Sequence, residues 1–189
     1  MNNCYILSTT SHYDLAKNLS QQSKIPMLET KIDYFANTEL RASISGSVRG
    51  KNLFIITSPH NNSDKSINDY IMETYLLIRT CKRSDSGTIT LICPCYPYAR
   101  QDKKDNSRTC ISAKDIADLF TNAGIDRIVS FDLHSAQIQG FFNIPCDNFY
   151  CINMIHKYLV DEHNINQEFQ KELDTKFVIV APDEGALKR

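Results

Sequence analysis

The sequence predicts a three-layer α/β fold, in which a mostly parallel sheet lies between two layers of helices. Short runs that are almost entirely apolar alternate along the chain with longer segments that have helical spacing. Strands that are apolar on both faces are typical of parallel sheets covered on both sides. A length of 189 residues, with 42% hydrophobic and 23% charged residues, suits one large globular domain.

The N-terminal elements are a strand, a helix and a pair of strands. Cys4–Ser8 is an apolar run that predicts the first buried strand. Ser11 is a candidate cap for a helix over His12–Lys24. Leu28–Phe35 and Glu39–Ser45 both alternate in the manner of strands, and they are interpreted as a hairpin or as a strand pair with a polar connection.

The rest of the chain continues the alternation of strands and helices. Lys51–Thr57 predicts a buried strand, Pro59–Lys65 is a polar loop, and apolar residues at helical spacing predict a helix over Ile67–Cys81. Ser112–Asn122 is a predicted helix that ends at Gly124. The other predicted helices are Ala136–Phe142 and Ile152–Glu162, and the other predicted strands are Thr88–Cys93, Arg127–Phe131, Cys146–Phe149 and Phe177–Ala181.

Net charge and hydropathy argue against nucleic-acid-binding, membrane-spanning and secreted proteins. The formal net charge is −1, so the overall balance does not indicate a nucleic-acid partner. No apolar run approaches the roughly 20 residues that span a bilayer. The N-terminus does not have the pattern of a secretory signal. We therefore expect a cytoplasmic protein with neither a membrane nor a nucleic acid as its partner.

The cysteines are expected to be reduced thiols, because their number, seven, is odd and no secretion signal precedes them. Cys93 and Cys95 are the only close pair. A zinc site usually needs a second pair or nearby histidines, so buried apolar thiols are the favoured interpretation.

Ligands of parallel α/β sheets bind at the carboxyl ends of strands, and three predicted strand ends are followed by polar sequence. After Cys93, the segment Tyr98–Arg108 contains a cluster of cations. They are Arg100, Lys103, Lys104 and Arg108. Arginine and lysine suit phosphate binding. The alternative is a solvated loop whose cations pair with Asp102 and Asp105.

The other two polar strand ends carry acidic residues. Asp132 and His134 follow the strand Arg127–Phe131, and on an extended backbone their side chains point to one face. They could share a cation or bond to each other, although Mg²⁺ prefers oxygen ligands. Pro182–Gly185 follows the last predicted strand, where Asp183 could cap a helix or face a metal or a sugar hydroxyl.

Several common active-site motifs do not occur in the sequence. It contains no P-loop of the form GxxxxGK[ST], no GxGxxG and no GxSxG nucleophile elbow. ATP would therefore not be held in the Walker manner, and a Rossmann dehydrogenase is disfavoured.

Long stretches of the sequence resemble the ribose-phosphate diphosphokinases, also called phosphoribosyl pyrophosphate synthetases. The matching stretches are FANTE at Phe35–Glu39, SVRG at Ser47–Gly50, YARQDKKD at Tyr98–Asp105, ISAK at Ile111–Lys114, DLHSAQIQGFFNIPCD at Asp132–Asp147 and PDEGALKR at Pro182–Arg189. The resemblance implies a type I phosphoribosyltransferase-like fold, of which residues 1–189 form the N-terminal domain. In that family two such halves normally occur together.

The resemblance also implies a reaction and a set of site residues. The reaction is transfer of the diphosphoryl group of ATP to ribose 5-phosphate with Mg²⁺, giving phosphoribosyl diphosphate and AMP for nucleotide biosynthesis. The implied ATP-binding residues are Phe35, Asn37, Thr38, Glu39, Arg100 and Gln101, of which the first four serve the adenine end of a neighbouring subunit's site. Asp132 and His134 would hold the Mg²⁺-nucleotide, and Asp183 a second cation. Dimers assembled into hexamers, or association with a full-length synthetase, are the implied assemblies.

Some features of the family are changed in this sequence or lie beyond it. The family's catalytic Lys/Arg loop and its 5-phosphate loop would follow Arg189, so no catalytic residue is assigned and we expect a truncated or split enzyme that does not turn over alone. Asn143 and Glu184–Ala186 depart from the family pattern. These departures favour an alternative, a non-catalytic regulatory or assembly subunit of a full-length synthetase. Ser47 and Arg49 match a region linked to regulation by phosphate and nucleotide.

Overall fold

A computed structural model of the chain describes residues 3–163 and 180–181. The chain divides into two compact units, Met1–Phe149 and Tyr150–Arg189. The strands of the first unit are β1 (Cys4–Ser8), β2 (Thr30–Tyr34), β3 (Leu40–Ile44), β4 (Asn52–Ile56), β5 (Ile89–Ile92), β6 (Arg127–Phe131) and β7 (Cys146–Phe149). Its helices are α1 (Tyr13–Ser23), α2 (Ile67–Arg83) and α3 (Ser112–Ala123), with 3₁₀ helices at Thr10–His12 and Ala136–Phe141. Helix α4 (Ile152–His163) belongs to the second unit.

A five-stranded parallel sheet forms the centre of the first unit. Its strand order is β1-β4-β5-β6-β7, and every neighbouring pair is parallel. The register places Leu7 beside Ile55, Ile55 beside Leu91 and Leu91 beside Ile128, all fully buried. The predicted parallel sheet of apolar strands is therefore confirmed.

Helices cover both faces of this sheet. On one face, Ile55 and Leu91 pack in a cluster with Leu77 of α2 and Phe120 of α3. On the other face, the neighbouring strand residues, such as Ile56, pack with residues of α1. Because adjacent strand residues point to opposite faces, the two clusters lie on opposite sides of the sheet. The predicted three-layer arrangement is confirmed.

Strands β2 and β3 form a separate antiparallel hairpin, as predicted. Its base joins the core, because half-buried Leu28 and Ile44 pack against the cluster that contains α2. The first strand of the hairpin, β2, is shorter than the predicted strand Leu28–Phe35. The Leu28 N–H donates instead to the Ile6 carbonyl at 2.9 Å, so this segment protects the open edge of β1.

The predicted role of Ser11 as the cap of α1 is wrong. Ser11 lies within the first 3₁₀ helix, and its hydroxyl accepts a hydrogen bond from the Ser58 N–H at 2.8 Å. Helix α1 is capped by the His12 ring, whose Nδ1 accepts from the Leu15 N–H at 3.3 Å. The Ser11 hydroxyl is therefore used to join the loops after β1 and β4.

The other predicted boundaries differ little from the structure. The short helix predicted over Ala136–Phe142 is a 3₁₀ helix that ends at Phe141. Most of the predicted strand Phe177–Ala181 lies outside the described residues. No helix in the described part of the chain is both long and apolar enough to cross a bilayer.

All seven cysteines are described, and each is a thiol rather than half of a disulfide, as expected. Cys81 and Cys93 are buried, and burial raises the pKa of the Cys81 thiol to about 12. Cys95 and Cys110 are exposed, so the expectation of buried thiols is wrong for these two.

Candidate functional site

The loops that follow the parallel strands begin side by side at the carboxyl edge of the sheet. Backbone hydrogen bonds continue the pairing past the strand ends. The Thr57 N–H donates to the Ile92 carbonyl at 3.0 Å, and the Phe131 N–H to the Pro94 carbonyl at 3.2 Å. This arrangement places Pro94, which leads to the cationic loop, beside the end of β6, where the Asp132–His134 loop begins.

Two tyrosines anchor the loop after β5. Tyr96 is buried, which raises the pKa of its phenol, and its hydroxyl donates to the Ala113 carbonyl of α3 at 2.8 Å. The Tyr98 hydroxyl donates to Oδ1 of Asn68, at the start of α2, at 2.6 Å. The base of the loop is thus fixed to the first turns of two helices.

Gln101, one of the predicted ATP-binding residues, holds the loop to the N-terminus of α3. Its carbonyl accepts from the Ala113 N–H at 3.2 Å, and its Oε1 accepts from the Ser112 hydroxyl. Ile111, which precedes α3, has no polar group in its side chain with which to cap the helix. Gln101 therefore acts as the cap of α3, and this bond fixes the backbone of the loop next to Arg100.

The loop exposes its cations to solvent. The four cations are Arg100, Lys103, Lys104 and Arg108. Lys103 pairs with Asp105 at 3.7 Å, and both side chains are more than two-thirds exposed (76% and 70%), so this pair contributes little to stability. Within residues 3–163 and 180–181, none of the ion pairs involves the other three cations. This distribution favours the phosphate-binding interpretation over the self-paired loop.

The extended backbone expected at Asp132 is not found. Strand β6 ends at Phe131, and Asp132 has a left-handed φ of 43°. Asp132 is half-buried and His134 is exposed. The Leu133 N–H between them donates to Oδ1 of Asn148 at 3.1 Å, which ties this turn to β7. The i, i+2 geometry on which the paired-ligand prediction relied therefore fails, because the chain turns at its first residue.

The predicted adenine-binding segment Phe35–Glu39 is the turn of the hairpin. The Phe35 N–H donates to the Glu39 carbonyl and the Thr38 N–H to the Phe35 carbonyl, both at 2.9 Å. Thr38 has a φ of 68°, which is typical of a three-residue hairpin loop that ends in a left-handed residue. Oδ1 of Asn37 accepts from the Glu39 N–H at 3.2 Å. The structure therefore brings these four residues together in one exposed turn.

A guanidinium braces this turn from β3. Nε and Nη2 of Arg41 donate to the two carboxylate oxygens of Asp33 at 2.8 and 2.7 Å. The hydrogen bond from Arg41 holds the pKa of Asp33 below its ordinary value. The same guanidinium lies 5.2 Å from the centre of the Phe35 ring. The exposed Phe35 ring is thus held on one side by a fixed cation.

The structure places a buried charge at the carboxyl edge that the sequence analysis above does not predict. The Glu73 side chain is fully buried on α2, and its Oε1 accepts from Nζ of Lys65 at 2.6 Å. Its Oε2 accepts from the Thr10 N–H at 2.9 Å. A signal was present in the sequence, because Glu73 is the one charged residue on the buried stripe of α2, which is otherwise apolar except for Thr74.

The structure does not place Ser47 and Arg49 with the other site residues. They precede β4, and Arg49 pairs with Asp85 at 3.6 Å in a turn that leads to β5. β4 and β5 both begin next to this turn, so the segment with Ser47 and Arg49 lies at the amino edge of the sheet, opposite the cationic loop. The segment 182–189, with Asp183, lies outside the described residues.

The order of the strands, the two helical layers and the polar loops at one edge define the class of protein, an α/β protein with a phosphoribosyltransferase-like fold. A crystal structure of phosphoribosylpyrophosphate synthetase from Mycobacterium smegmatis shares this architecture. Its TM-score is 0.79 and its identity 37%, covering 86% of this chain and 53% of that one. The sequence model of the N-terminal domain of ribose phosphate pyrophosphokinase matches residues 4–124. The chain belongs to the ribose-phosphate pyrophosphokinase family.

Curated relatives match along the whole chain. Ribose-phosphate pyrophosphokinase 4 of Saccharomyces cerevisiae is 36% identical over 189 residues, which are 100% of this chain and 55% of the relative. Ribose-phosphate pyrophosphokinase A of Dictyostelium discoideum is 39% identical over 184 residues, 97% of this chain and 54% of the relative. The chain therefore spans about half the length of the curated relatives it matches.

Proposed function

We propose that this chain is the ATP-binding part of a ribose-phosphate diphosphokinase, which transfers the diphosphoryl group of ATP to ribose 5-phosphate and releases AMP, for nucleotide biosynthesis. The observation that carries the proposal is the anchored loop after β5, whose cations Arg100, Lys104 and Arg108 are exposed while its base is fixed by Tyr96 and Tyr98. A preorganised set of guanidinium and ammonium groups suits a triphosphate. Phosphoryl transfer relies mainly on such positioning and neutralisation of charge.

The hairpin turn supplies the second half of the nucleotide site. Its exposed Phe35 ring offers an apolar face to a base, and Asn37, Thr38 and Glu39 add exposed polar groups in the same turn. We propose that this turn reaches the adenine end of a neighbouring subunit's site. The protein would then act in the cytoplasm as a homo-oligomer or together with a full-length synthetase.

Magnesium fits the residues at this edge. A nucleotide-borne Mg²⁺ is usually held by one or two carboxylates together with phosphate oxygens and water. Asp132 offers such a carboxylate, since it is half-buried in the turn directly after β6, at the carboxyl edge of the sheet. We propose that Asp132 and His134 hold the ion as separate ligands from the turn after β6, rather than as a pair on one strand face, and that Asp183 holds a second cation. When bound, the ion would neutralise charge on the transferred group, while Arg100 and Lys104 orient the phosphates.

Calorimetric titration of the chain with ATP in the presence of Mg²⁺ tests the proposal. We expect saturable binding of ATP, and the variant Arg100→Ala should bind about tenfold more weakly, since a charge-assisted contact is lost. Arg83→Ala is the matched control, because Arg83 is exposed at the far end of α2 and should leave the affinity unchanged. Failure of the wild-type chain to bind ATP, or equal affinity in Arg100→Ala, would overturn the proposal.

A further inference from the structure

The two ends of the hairpin are held in different ways. Its base is packed into the core through Leu28 and Ile44, and the Thr80 hydroxyl of α2 reaches the Ala42 carbonyl at 3.4 Å. The turn end is exposed, since Tyr34 and Phe35 keep 45% and 48% of their surface. Apolar packing therefore fixes the base, and the turn end needs another means of support.

Lys65 lies where the turn end of the hairpin meets the sheet. Its Nζ donates to Oε1 of Glu73 at 2.6 Å and to the Thr10 hydroxyl at 2.8 Å. The same Nζ lies 5.5 Å from the centre of the Tyr34 ring and 5.7 Å from that of Tyr70. One cation therefore contacts the last residue of β2, the loop after β1 and helix α2.

The position of this cation is firmly fixed. The Lys65 side chain is only 19% exposed, and the Glu73 carboxylate that holds it is fully buried. Burial opposes the charge on Lys65, but the hydrogen bond and the charge of Glu73 outweigh it, so the pKa of Lys65 lies above its ordinary value. Lys65 thus stays charged at neutral pH, in the form that attracts an aromatic face.

Lys65 could neutralise the charge of Glu73 without contacting an aromatic ring of the hairpin. The oxygens of Glu73 and Thr10 take up the hydrogen-bonding capacity of the ammonium on one side, and ring faces from two elements lie around the rest of it. Because Tyr34 directly precedes Phe35, holding its ring holds the strand end that leads into the turn. The contact of Lys65 with the Tyr34 ring therefore supports the turn, which a counterion that only neutralised Glu73 would not do.

We propose that Lys65 is a positioning residue, which acts through the Tyr34 ring to fix the turn Phe35–Glu39 against the start of α2. The consequence for nucleotide binding rests on the proposed function, whereas the tether itself does not. Lys65 stands in a polar loop of the sequence, so nothing in its immediate neighbours marks it for this role.

Amide hydrogen exchange of the wild-type chain and its variants tests the tether. Tyr34→Leu removes the ring and keeps the Lys65–Glu73 pair, and Tyr34→Phe keeps the ring face. We expect exchange at the turn end of β2–β3 to rise about fivefold in Tyr34→Leu and to stay unchanged in Tyr34→Phe. Exchange in β4 and β5 should not change in either variant. Equal exchange at the turn end in Tyr34→Leu and wild type would overturn the proposal.

A double-mutant cycle separates the cation from the apolar bulk of the ring. The background Lys65→Met/Glu73→Gln removes the charge pair without leaving a buried carboxylate unpaired, and in it Tyr34→Leu should have little further effect on the exchange rate. Lys51→Met is a matched control, since Lys51 also lies over a tyrosine ring, that of Tyr5, at 5.9 Å but away from the hairpin. Effects of Tyr34→Leu that are the same in both backgrounds would contradict a role for Lys65.

The same samples distinguish failure of the tether from failure of the proposed function. If wild type binds ATP and Tyr34→Leu exchanges normally at the turn, the tether is wrong and the function stands. If Tyr34→Leu loosens the turn but wild type does not bind ATP, the tether stands and the function fails.

Discussion

Lys65 and the cations of the loop after β5 carry the same charge at the same edge of the sheet, but they lie in opposite environments. Lys65 is mostly buried against a fully buried carboxylate, whereas the pair of Lys103 with Asp105 in the loop is largely exposed. A cation that is already paired in a buried site supports the structure and has no capacity left for a ligand. Exposed cations on an anchored loop contribute little to stability and remain available to phosphate.

The largest expected difference between the two regions is in stability. Glu73→Ala leaves Lys65 without its counterion and the Thr10 N–H without its acceptor, and we expect the free energy of unfolding to fall by about 3–5 kcal/mol. Asp105→Ala removes the partner of Lys103, and its effect should stay within about 0.5 kcal/mol. Urea denaturation of the two variants measures both values. Similar losses of unfolding free energy in both variants would show that burial does not make the Lys65–Glu73 pair more stabilising than the exposed pair.

The next largest expected effect is on the affinity for Mg²⁺-ATP, and we expect it only for substitutions in the loop after β5. Lys104→Ala or Arg108→Ala should weaken binding of Mg²⁺-ATP by about three- to tenfold, because each removes one charged contact to phosphate. The midpoint of urea unfolding should not change in either variant. An unchanged affinity in both variants would assign these cations to the solvated surface instead.

A smaller effect is expected at the anchor of the loop. Tyr96→Phe removes the hydrogen bond to the Ala113 carbonyl in a buried site, so the free energy of unfolding should fall by about 1 kcal/mol. Tyr98→Phe, at a partly exposed hydroxyl, should cost less. If the order of these two losses is reversed, the base of the loop is anchored at α2 rather than at α3.

The smallest effect concerns the hairpin and depends on pH. The pKa of Asp33 is lowered in the folded chain, so the bond of its carboxylate to Arg41 stabilises the hairpin fully at a pH above 3.8, the ordinary pKa of the group. This stabilisation is lost as the pH falls through the lowered pKa of the folded chain. Amide exchange in β2 and β3 should therefore rise at acid pH in wild type. In Asp33→Asn, that dependence should be absent. A wild-type hairpin with exchange that follows only the intrinsic rate across this range would contradict the prediction.

Four strands of the sheet, β1, β4, β5 and β6, could be predicted because each is a short and mostly apolar run. β7 contains Asp147 and Asn148, yet β1, β6 and β7 all begin and end where the sequence indicates. The hairpin and the cationic loop were also predicted, since both depend on local sequence. Long-range contacts could not be predicted in the same way. Ser11 is diverted from capping α1 by an N–H of the loop after β4, which is distant in sequence.

The site was predicted less completely than the fold. The positive φ of Asp132 reorients the loop after β6. Aspartate adopts a left-handed backbone more readily than most residues, but an aspartate after a strand does not by itself predict such a turn. The pairing of Lys65 with Glu73 depends on how the start of α2 meets the loop after β1, and the only signal for it in the sequence is a charge on a mostly apolar helical stripe. Asp183 lies outside the described residues, so its role as a metal ligand stays a prediction.

The dependence of ATP affinity on ionic strength tests most directly the claim that the exposed loop binds the triphosphate. For wild type, the affinity for Mg²⁺-ATP should fall steadily as the salt concentration rises, because exposed charges are screened. In the triple variant Arg100→Ala/Lys104→Ala/Arg108→Ala, binding should be weak and nearly independent of salt, with urea unfolding unchanged. Equal salt dependence in the wild-type chain and the triple variant would contradict the account.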